Sequence, residues 1–116
     1  MSIERIDTGK RMSQVVIHGD TVYLAGQVAE NAANPSVTEQ TRDVLSQIEA
    51  LLAKAGSDKS KLLSATIYLP NIADFDAMNE AWDAWVTRGH APARACVEAR
   101  LAGSDLRVEI SVIAAR

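Results

Sequence analysis

The length, composition and charge of the chain exclude several classes of protein. Its 116 residues, 47% of them hydrophobic, are enough for one domain with a packed core. The formal net charge of −3 supplies neither the basic face that nucleic-acid binding needs nor a polybasic anchor for a membrane surface. We therefore predict a single domain over residues 1–116, with no membrane partner and with nucleic acid disfavoured as a partner.

The cysteine and histidine content bears on location and on metal binding. Cys96 is the single cysteine, so no disulfide can form within these residues. The first residues lack the apolar core of a secretory signal, and no apolar run approaches the roughly 20 residues of a membrane span. We therefore predict a cytoplasmic protein. The two histidines and Cys96 do not have the spacing of metal ligands, and we predict no metal site.

The first half of the chain predicts strands followed by a helix. A short strand over about residues 3–6 precedes strands at 15–17 and 21–28, which flank Gly19-Asp20 and predict a hairpin. Residues 37–55 carry apolar side chains at helical spacing. Ser36 and Glu39 form a capping-box pattern at the start of this helix, and Gly56 is a natural stop at its end.

The second half adds one strand, one helix and two further strands. The β-rich run 62–69 ends at Pro70, and a helix is predicted over 73–88 with its aromatic residues on one face. Strands at 94–101 and 107–114 are joined by residues 102–105, which predicts a second hairpin. This order of elements predicts the α+β class, as a mixed sheet of about six strands with both helices on one face.

The face of this sheet opposite the helices is predicted to contact other subunits. Its side chains are small and mildly polar, too apolar for a free surface and too polar for a sealed core. They are Tyr23, Ala25, Ser64, Thr66, Tyr68, Cys96 and Ser111. We predict that subunits share this face and enclose partly hydrated pockets at their boundaries. The alternative is a sheet that faces solvent.

Arg94 and Glu109 are the residues best suited to chemistry. Strand alternation puts Arg94 and Cys96 on one side of their strand, and in the predicted hairpin Glu109 shares a face with Arg94. An arginine fork matches a carboxylate, and a nearby glutamate can move a proton or hold a water. The alternative is a structural cross-strand ion pair or a face exposed to solvent. Cys96 fits a small buried residue better than a nucleophile, and Gly26 fits a bulge or a point of close approach.

Four motifs, in order along the chain, resemble the RidA/YjgF family, which also carries the label endoribonuclease L-PSP. Residues 91–98, A-P-A-R-A-C-V-E, resemble its P-A-R-x-x-V-E signature, and residues 106–110 resemble its closing V-E-I strand. Residues 22–27 resemble its strand ending in S-G-Q, and residues 74–79 resemble its D-F-x-x-x-N helix start. Two runs near the end of the second predicted helix are similar to the YoaB-like branch. They are A-W-D-A-W-V at residues 81–86 and H-A-P at residues 90–92.

The resemblance implies a chorismate-mutase-like fold, a homotrimer and clefts between the subunits. It also implies the hydrolysis of reactive enamines and imines, small carboxylate substrates, to 2-keto acids and ammonia without a cofactor. Two alternatives stay open: a non-catalytic trimeric binder of small carboxylate metabolites, and an endoribonuclease, against which the net charge of −3 argues. Chorismate-mutase chemistry would follow from analogy of fold alone.

Carried over residue by residue, the resemblance implies roles for five residues. Arg94 would hold the substrate carboxylate, and Glu109 would activate water and handle protons as ammonia leaves. Gly26 and Cys96 would line the pocket, and Asn79 would support it. Because an imine carbon is already electrophilic, such a site needs orientation and one proton relay rather than a covalent nucleophile.

The chain departs from the family at two positions beside the implied pocket. Met12 stands where the family's G-P-Y-S-Q segment has its tyrosine, and Ala25 stands where a serine usually precedes Gly-Gln. Each change replaces a hydroxyl with an apolar group. We therefore predict Met12 as a substrate-binding residue in a cleft that is more apolar on one side and accommodates a bulkier apolar side chain.

Overall fold

Seven strands and two helices make up the computed structural model, which describes residues 1–116. In chain order they are β1 (Ile3–Thr8), β2 (Ser13–His18), β3 (Thr21–Leu24), β4 (Gln27–Val28), α1 (Val37–Lys54), β5 (Leu62–Leu69), α2 (Phe75–Trp85), β6 (Ala93–Glu98) and β7 (Glu109–Ala115). The strands form one mixed sheet in the order β1-β2-β3-β7-β5-β6, with β4 paired to β7. The predicted α+β class is confirmed. Neither helix is long and apolar enough to cross a membrane.

Helix α1 starts and stops where local sequence signals predict. The Ser36 hydroxyl accepts a hydrogen bond from the Glu39 amide at 3.2 Å, as the capping-box pattern predicts. The chain leaves the helix through Gly56, whose φ of +77° lies in the left-handed region that glycine tolerates. Between these ends, a buried apolar stripe that includes Ile48 and Leu52 joins the core. This stripe sets which side of α1 faces the sheet.

Helix α2 is shorter than the predicted range 73–88. Residues Ile72–Asp74 form a separate 3-10 turn before it. The helix ends at Trp85 because Val86 is extended, and Lys59 donates a hydrogen bond from Nζ to the Trp85 carbonyl at 2.8 Å. In a longer helix the Trp85 carbonyl would accept a hydrogen bond from a backbone amide, and here Lys59 donates that bond instead. Apolar spacing carries no information about such a partner.

The predicted hairpin between the last two strands is wrong. β5 lies between β6 and β7, parallel to β6 and antiparallel to β7. The segment joining β6 to β7 is held by the Gln40 side chain of α1. Its Nε2 donates to the Asp105 carbonyl at 2.9 Å, and its Oε1 accepts from the Arg107 amide at 2.8 Å. Gln40 thereby holds this segment as a crossover against α1, where a hairpin would need a tight turn.

The two faces of the sheet differ much as predicted. On β5, buried residues alternate with the half-buried Ser64, Thr66 and Tyr68, which point away from the helices. Ser111 pairs with Thr66 and shares that open face. Tyr23 lies there too and is 43% exposed. Because both helices lie on the other side, the open face has no second layer within the chain.

Candidate functional site

Arg94 lies on β6, at one edge of the sheet, and faces the helix side. It pairs with the core residue Ala65 of β5, so its side chain projects toward α2. One guanidinium nitrogen donates to Asn79 Oδ1 at 2.7 Å. The guanidinium carbon lies 5.3 Å from the ring centre of Trp82 and 5.8 Å from that of Phe75. The amide oxygen and the two ring faces orient the guanidinium without neutralising its charge.

The charge of Arg94 has no carboxylate partner. The ion pairs of the chain all involve other cations, so the predicted alternative of a structural Arg94–Glu109 ion pair is wrong. Glu98 shares a side of β6 with Arg94, but its Oε2 accepts a hydrogen bond from the Ile72 amide at 3.0 Å. A half-buried guanidinium with donors to spare can bind an anionic ligand through two parallel hydrogen bonds.

Cys96 lies on the same side of β6 as Arg94, and not on the open face where it was predicted. It pairs with Ile67 and packs against the helix-side core. The cause is the parallel register of β6 with β5, which aligns both side chains with the buried row of β5. Burial raises the pKa of the Cys96 thiol, and the nearby Arg94 guanidinium offsets part of that increase. The thiol stays protonated at neutral pH, which fits a packing residue rather than a nucleophile.

Glu109 begins β7 and packs against the backbone of Gly26. It pairs with Val28 of β4 and with Tyr68 of β5. A methyl group on Gly26 would lie 2.3 Å from Glu109 Oε2, so only glycine leaves room for the carboxylate in this position. The close approach predicted at Gly26 is therefore confirmed. Glu109 takes part in none of the chain's ion pairs, so its carboxylate is available to a ligand or to water.

Arg94 and Glu109 lie on opposite faces of the sheet, contrary to the prediction from the hairpin. Arg94 pairs with Ala65, which faces the helices, whereas Glu109 pairs with Tyr68, which faces away from them. Directly paired residues project to the same side of a sheet, and positions 65 and 68 of one strand project to opposite sides. Within one chain the two side chains therefore cannot reach a common ligand.

Met12 lies in the turn between β1 and β2 and is 49% exposed. The Ala25 amide donates to the Gln14 carbonyl at 2.9 Å, which puts this turn at the same end of the sheet as Gly26. The six predicted site residues thus form two groups. Arg94, Asn79 and Cys96 lie at the β6 edge, and Gly26 and Glu109 lie near the end that carries Met12. Nowhere do three His, Cys, Asp or Glu side chains gather as metal ligands would.

The two aromatic residues beside Arg94 were not predicted as site residues. The sequence places Phe75 and Trp82 on one face of the predicted helix and gives them no role in the site. Trp82 is buried, but Phe75 is 39% exposed, and both rings face the guanidinium. A signal was present, because Asn79 follows Phe75 by four residues and precedes Trp82 by three. That spacing puts an amide between two aromatic rings on one side of a helix.

Gly26→Ala is expected to move the Glu109 carboxylate and to leave the fold intact. The added methyl would overlap Oε2, the mobile end of a flexible side chain, so the side chain would rotate and the backbone would stay. We expect a change in the free energy of unfolding of no more than about 1 kcal/mol, measured in denaturant. A crystal structure of the variant with Glu109 unmoved would contradict this. Gly103→Ala is the control, since its methyl meets Leu106 at 3.4 Å, near ordinary contact distance.

Comparison with known proteins gives a consistent result along the whole chain. The family model described as endoribonuclease L-PSP matches residues 2–116. The chain is 51% identical over 115 residues to the RutC family protein YoaB of Escherichia coli K12, covering 99% of both chains. It is also 30% identical over 104 residues to the 2-iminobutanoate/2-iminopropanoate deaminase of Salmonella typhimurium, covering 84% of this chain and 81% of that protein.

A solved structure agrees with the fold. The chain is similar to NMB1025, a member of the YjgF protein family from Neisseria meningitidis, with a TM-score of 0.97 and 47% sequence identity. The match covers 100% of this chain and 96% of that one. The strand order and the placement of both helices are therefore those of a known structural family.

Proposed function

Because the chain belongs to the endoribonuclease L-PSP family, which includes the RutC and YjgF proteins, we propose that it hydrolyses reactive 2-imino acids and their enamine tautomers to 2-keto acids and ammonia. The observation that carries the proposal is the Arg94 guanidinium, which is oriented by Asn79 and two aromatic rings and has no carboxylate partner. The relative named as a 2-iminobutanoate/2-iminopropanoate deaminase supports this choice of reaction. The proposal includes a cytoplasmic setting and no cofactor.

The proposed site lies between two copies of the chain. Arg94 and Glu109 occupy opposite faces of the sheet, so a ligand that touches both needs Arg94 from one copy and Glu109 from another. The open face is suited to such an assembly, because it exposes apolar groups such as Tyr23 and Val97 and has no second layer. We propose a homotrimer with three such sites. Sedimentation of the native protein should give about three chains per particle, and a clean monomer would eliminate the shared site.

The chemistry follows from the two charged groups. Arg94 would hold the substrate carboxylate through two parallel hydrogen bonds and so fix the position of the adjacent imine carbon. Glu109 would accept a proton from water as the water oxygen bonds to that carbon and the C=N bond becomes single. The same carboxyl group would return the proton to nitrogen. The carbinolamine then loses ammonia as its hydroxyl becomes the keto oxygen, so that one imine and one water give one 2-keto acid and one ammonia.

The direct test is ammonia release from an imine generated in place by an amino-acid oxidase. The protein should accelerate release over buffer, and the substrate panel should include small and larger apolar side chains. The exposed thioether of Met12 predicts that the larger apolar imines are tolerated. No acceleration with any side chain would exclude the proposed reaction.

A carboxylate binder without catalytic activity is the second candidate. It is favoured by one observation, the apolar Met12 in place of the family's hydroxyl-bearing tyrosine. Such a protein would need Arg94 but not Glu109. Binding of 2-keto acids that depends on Arg94, together with no ammonia release, would select this function.

A further inference from the structure

A groove of about 610 Å³ runs between α1 and α2, on the outer side of the helix layer. Its α1 side extends from Arg42 to Ala53, a length of roughly 16 Å for a helix. Its α2 side ends at Trp85. Small side chains form much of the lining, so another chain can approach both helices closely. They are Ser46, Ala50, Ala53, Ala81 and Ala84.

The α1–α2 groove is separate from the site proposed at Arg94. Asn79 and Trp82 of α2 face the Arg94 guanidinium, whereas Ala84 and Trp85 line the groove. Both helices lie on the side of the sheet away from its open face, so a homotrimer assembled through that face leaves the groove exposed. The groove is therefore free to contact another molecule.

The charged groups that line the groove already bind one another. Arg42 pairs with Glu39, and Lys59 pairs with Glu49 at 3.7 Å. The Trp85 indole nitrogen donates to Glu49 Oε1 at 2.7 Å, and Lys59 Nζ lies 5.3 Å from the centre of the Trp85 ring. These contacts hold the ring in place as an apolar wall. A site for a small polar metabolite would present polar groups converging on the ligand, so this groove is better suited to apolar side chains.

An acidic stripe without cation partners runs along α2 beside the groove. Asp76, Glu80 and Asp83 are exposed, follow one another at helical spacing and take part in none of the chain's ion pairs. Glu80 precedes Ala84 by four residues and so borders the groove directly. The stripe repels nucleic acid and anionic membrane surfaces and attracts a basic partner. A second copy of this chain would bring the same carboxylates and is disfavoured as the occupant.

We infer that the α1–α2 groove binds an amphipathic helix of a partner protein, whose basic side lies against the acidic stripe. Such a helix presents apolar anchors at three- and four-residue spacing, and about three of its turns match the length of the groove. Its apolar side chains would lie on Trp85 and on the alanines of the lining. The inference is independent of the proposed hydrolysis, since it uses neither Arg94 nor Glu109.

The test is titration of the native protein into a fluorescein-labelled peptide of about 18 leucine and lysine residues, with the leucines at helical spacing. Fluorescence anisotropy measures the affinity, and amide chemical shifts should move along residues 42–53 and 80–85. Ala53→Arg should weaken binding by about tenfold, because its side chain fills the groove and repels lysine. Glu80→Gln should weaken it by about threefold, the usual worth of a surface ion pair. Ala102→Arg is the matched control, since it adds the same side chain at an exposed position between β6 and β7. It should bind like the native protein.

Three results would overturn the inference. The first is equal affinity for a peptide of the same composition in scrambled order, which would show attraction by charge alone. The second is equal loss of affinity in Ala102→Arg and Ala53→Arg. The third is a set of shifts confined to the open face of the sheet, which would place the peptide elsewhere. Because all of these substitutions are on the surface, the variants are expected to remain folded.

Discussion

Replacing Arg94 with alanine is expected to weaken the binding of pyruvate and 2-oxobutanoate by about tenfold to a hundredfold. These 2-keto acids are the products of the proposed reaction and carry the carboxylate that Arg94 would hold. The native guanidinium donates to Asn79 Oδ1 at 2.7 Å and faces two aromatic rings. The Arg94 side chain therefore loses little conformational entropy when a ligand binds. Titration calorimetry of the native and variant proteins measures the effect.

Two further variants separate a binding role of Arg94 from a structural one. Arg94→Lys keeps the positive charge but loses the planar fork, so it should recover only part of the affinity. Arg88→Ala removes an exposed arginine elsewhere and should bind as the native protein does. Thermal unfolding of each variant checks that the packing of Trp82 against α1 and the sheet survives. Native affinity in a folded Arg94→Ala variant would show that the carboxylate is bound at another place.

The extent to which sequence predicts this structure differs between local and long-range features. Helix α1 was predicted within one residue because its cap at Ser36, its apolar stripe and its stop at Gly56 all act within the segment itself. The same holds for β5, whose observed range Leu62–Leu69 is the predicted one. The end of α2 was missed because its apolar spacing continues beyond Trp85, whereas the Trp85 carbonyl accepts a hydrogen bond from Lys59, a residue from a distant part of the chain.

The face of Arg94 was missed for a related reason. A strand's register decides which of its two faces each side chain joins, and the register depends on the partner strand. The turn-like residues Gly103-Ser104 favoured a β6–β7 hairpin, but β5, α2 and β6 form a strand–helix–strand unit, whose two strands are normally parallel. Giving that unit more weight would have predicted the parallel β5–β6 pair, but the register that sets Arg94 beside Ala65 comes from the structure. The motif residues were nonetheless identified, because motifs are read along the chain and do not depend on register.

Glu109→Gln is expected to lower the rate of ammonia release by about a hundredfold to ten-thousandfold, the usual contribution of a positioned proton-transfer group. Glutamine keeps the shape of the side chain against Gly26 but cannot accept a proton from water. Binding of 2-keto acids should remain within about twofold of the native value, because Arg94 rather than Glu109 would bind the ligand carboxylate. Steady-state rates together with calorimetry would show this separation of turnover from binding. Equal loss of both would mean that Glu109 shapes the pocket rather than moving protons.

Mixing the two impaired variants, Arg94→Ala and Glu109→Gln, tests whether the site is shared between subunits. In an oligomer that combines Arg94→Ala and Glu109→Gln chains, some boundaries join an intact Arg94 from one chain to an intact Glu109 from its neighbour. Random mixing of equal amounts should restore about a quarter of the native sites, so activity should rise above that of either variant alone. A site contained within one chain cannot be rescued in this way. Because Arg94 and Glu109 occupy opposite faces of the sheet, active mixed oligomers are the expected result, and inactive ones would disprove the shared site.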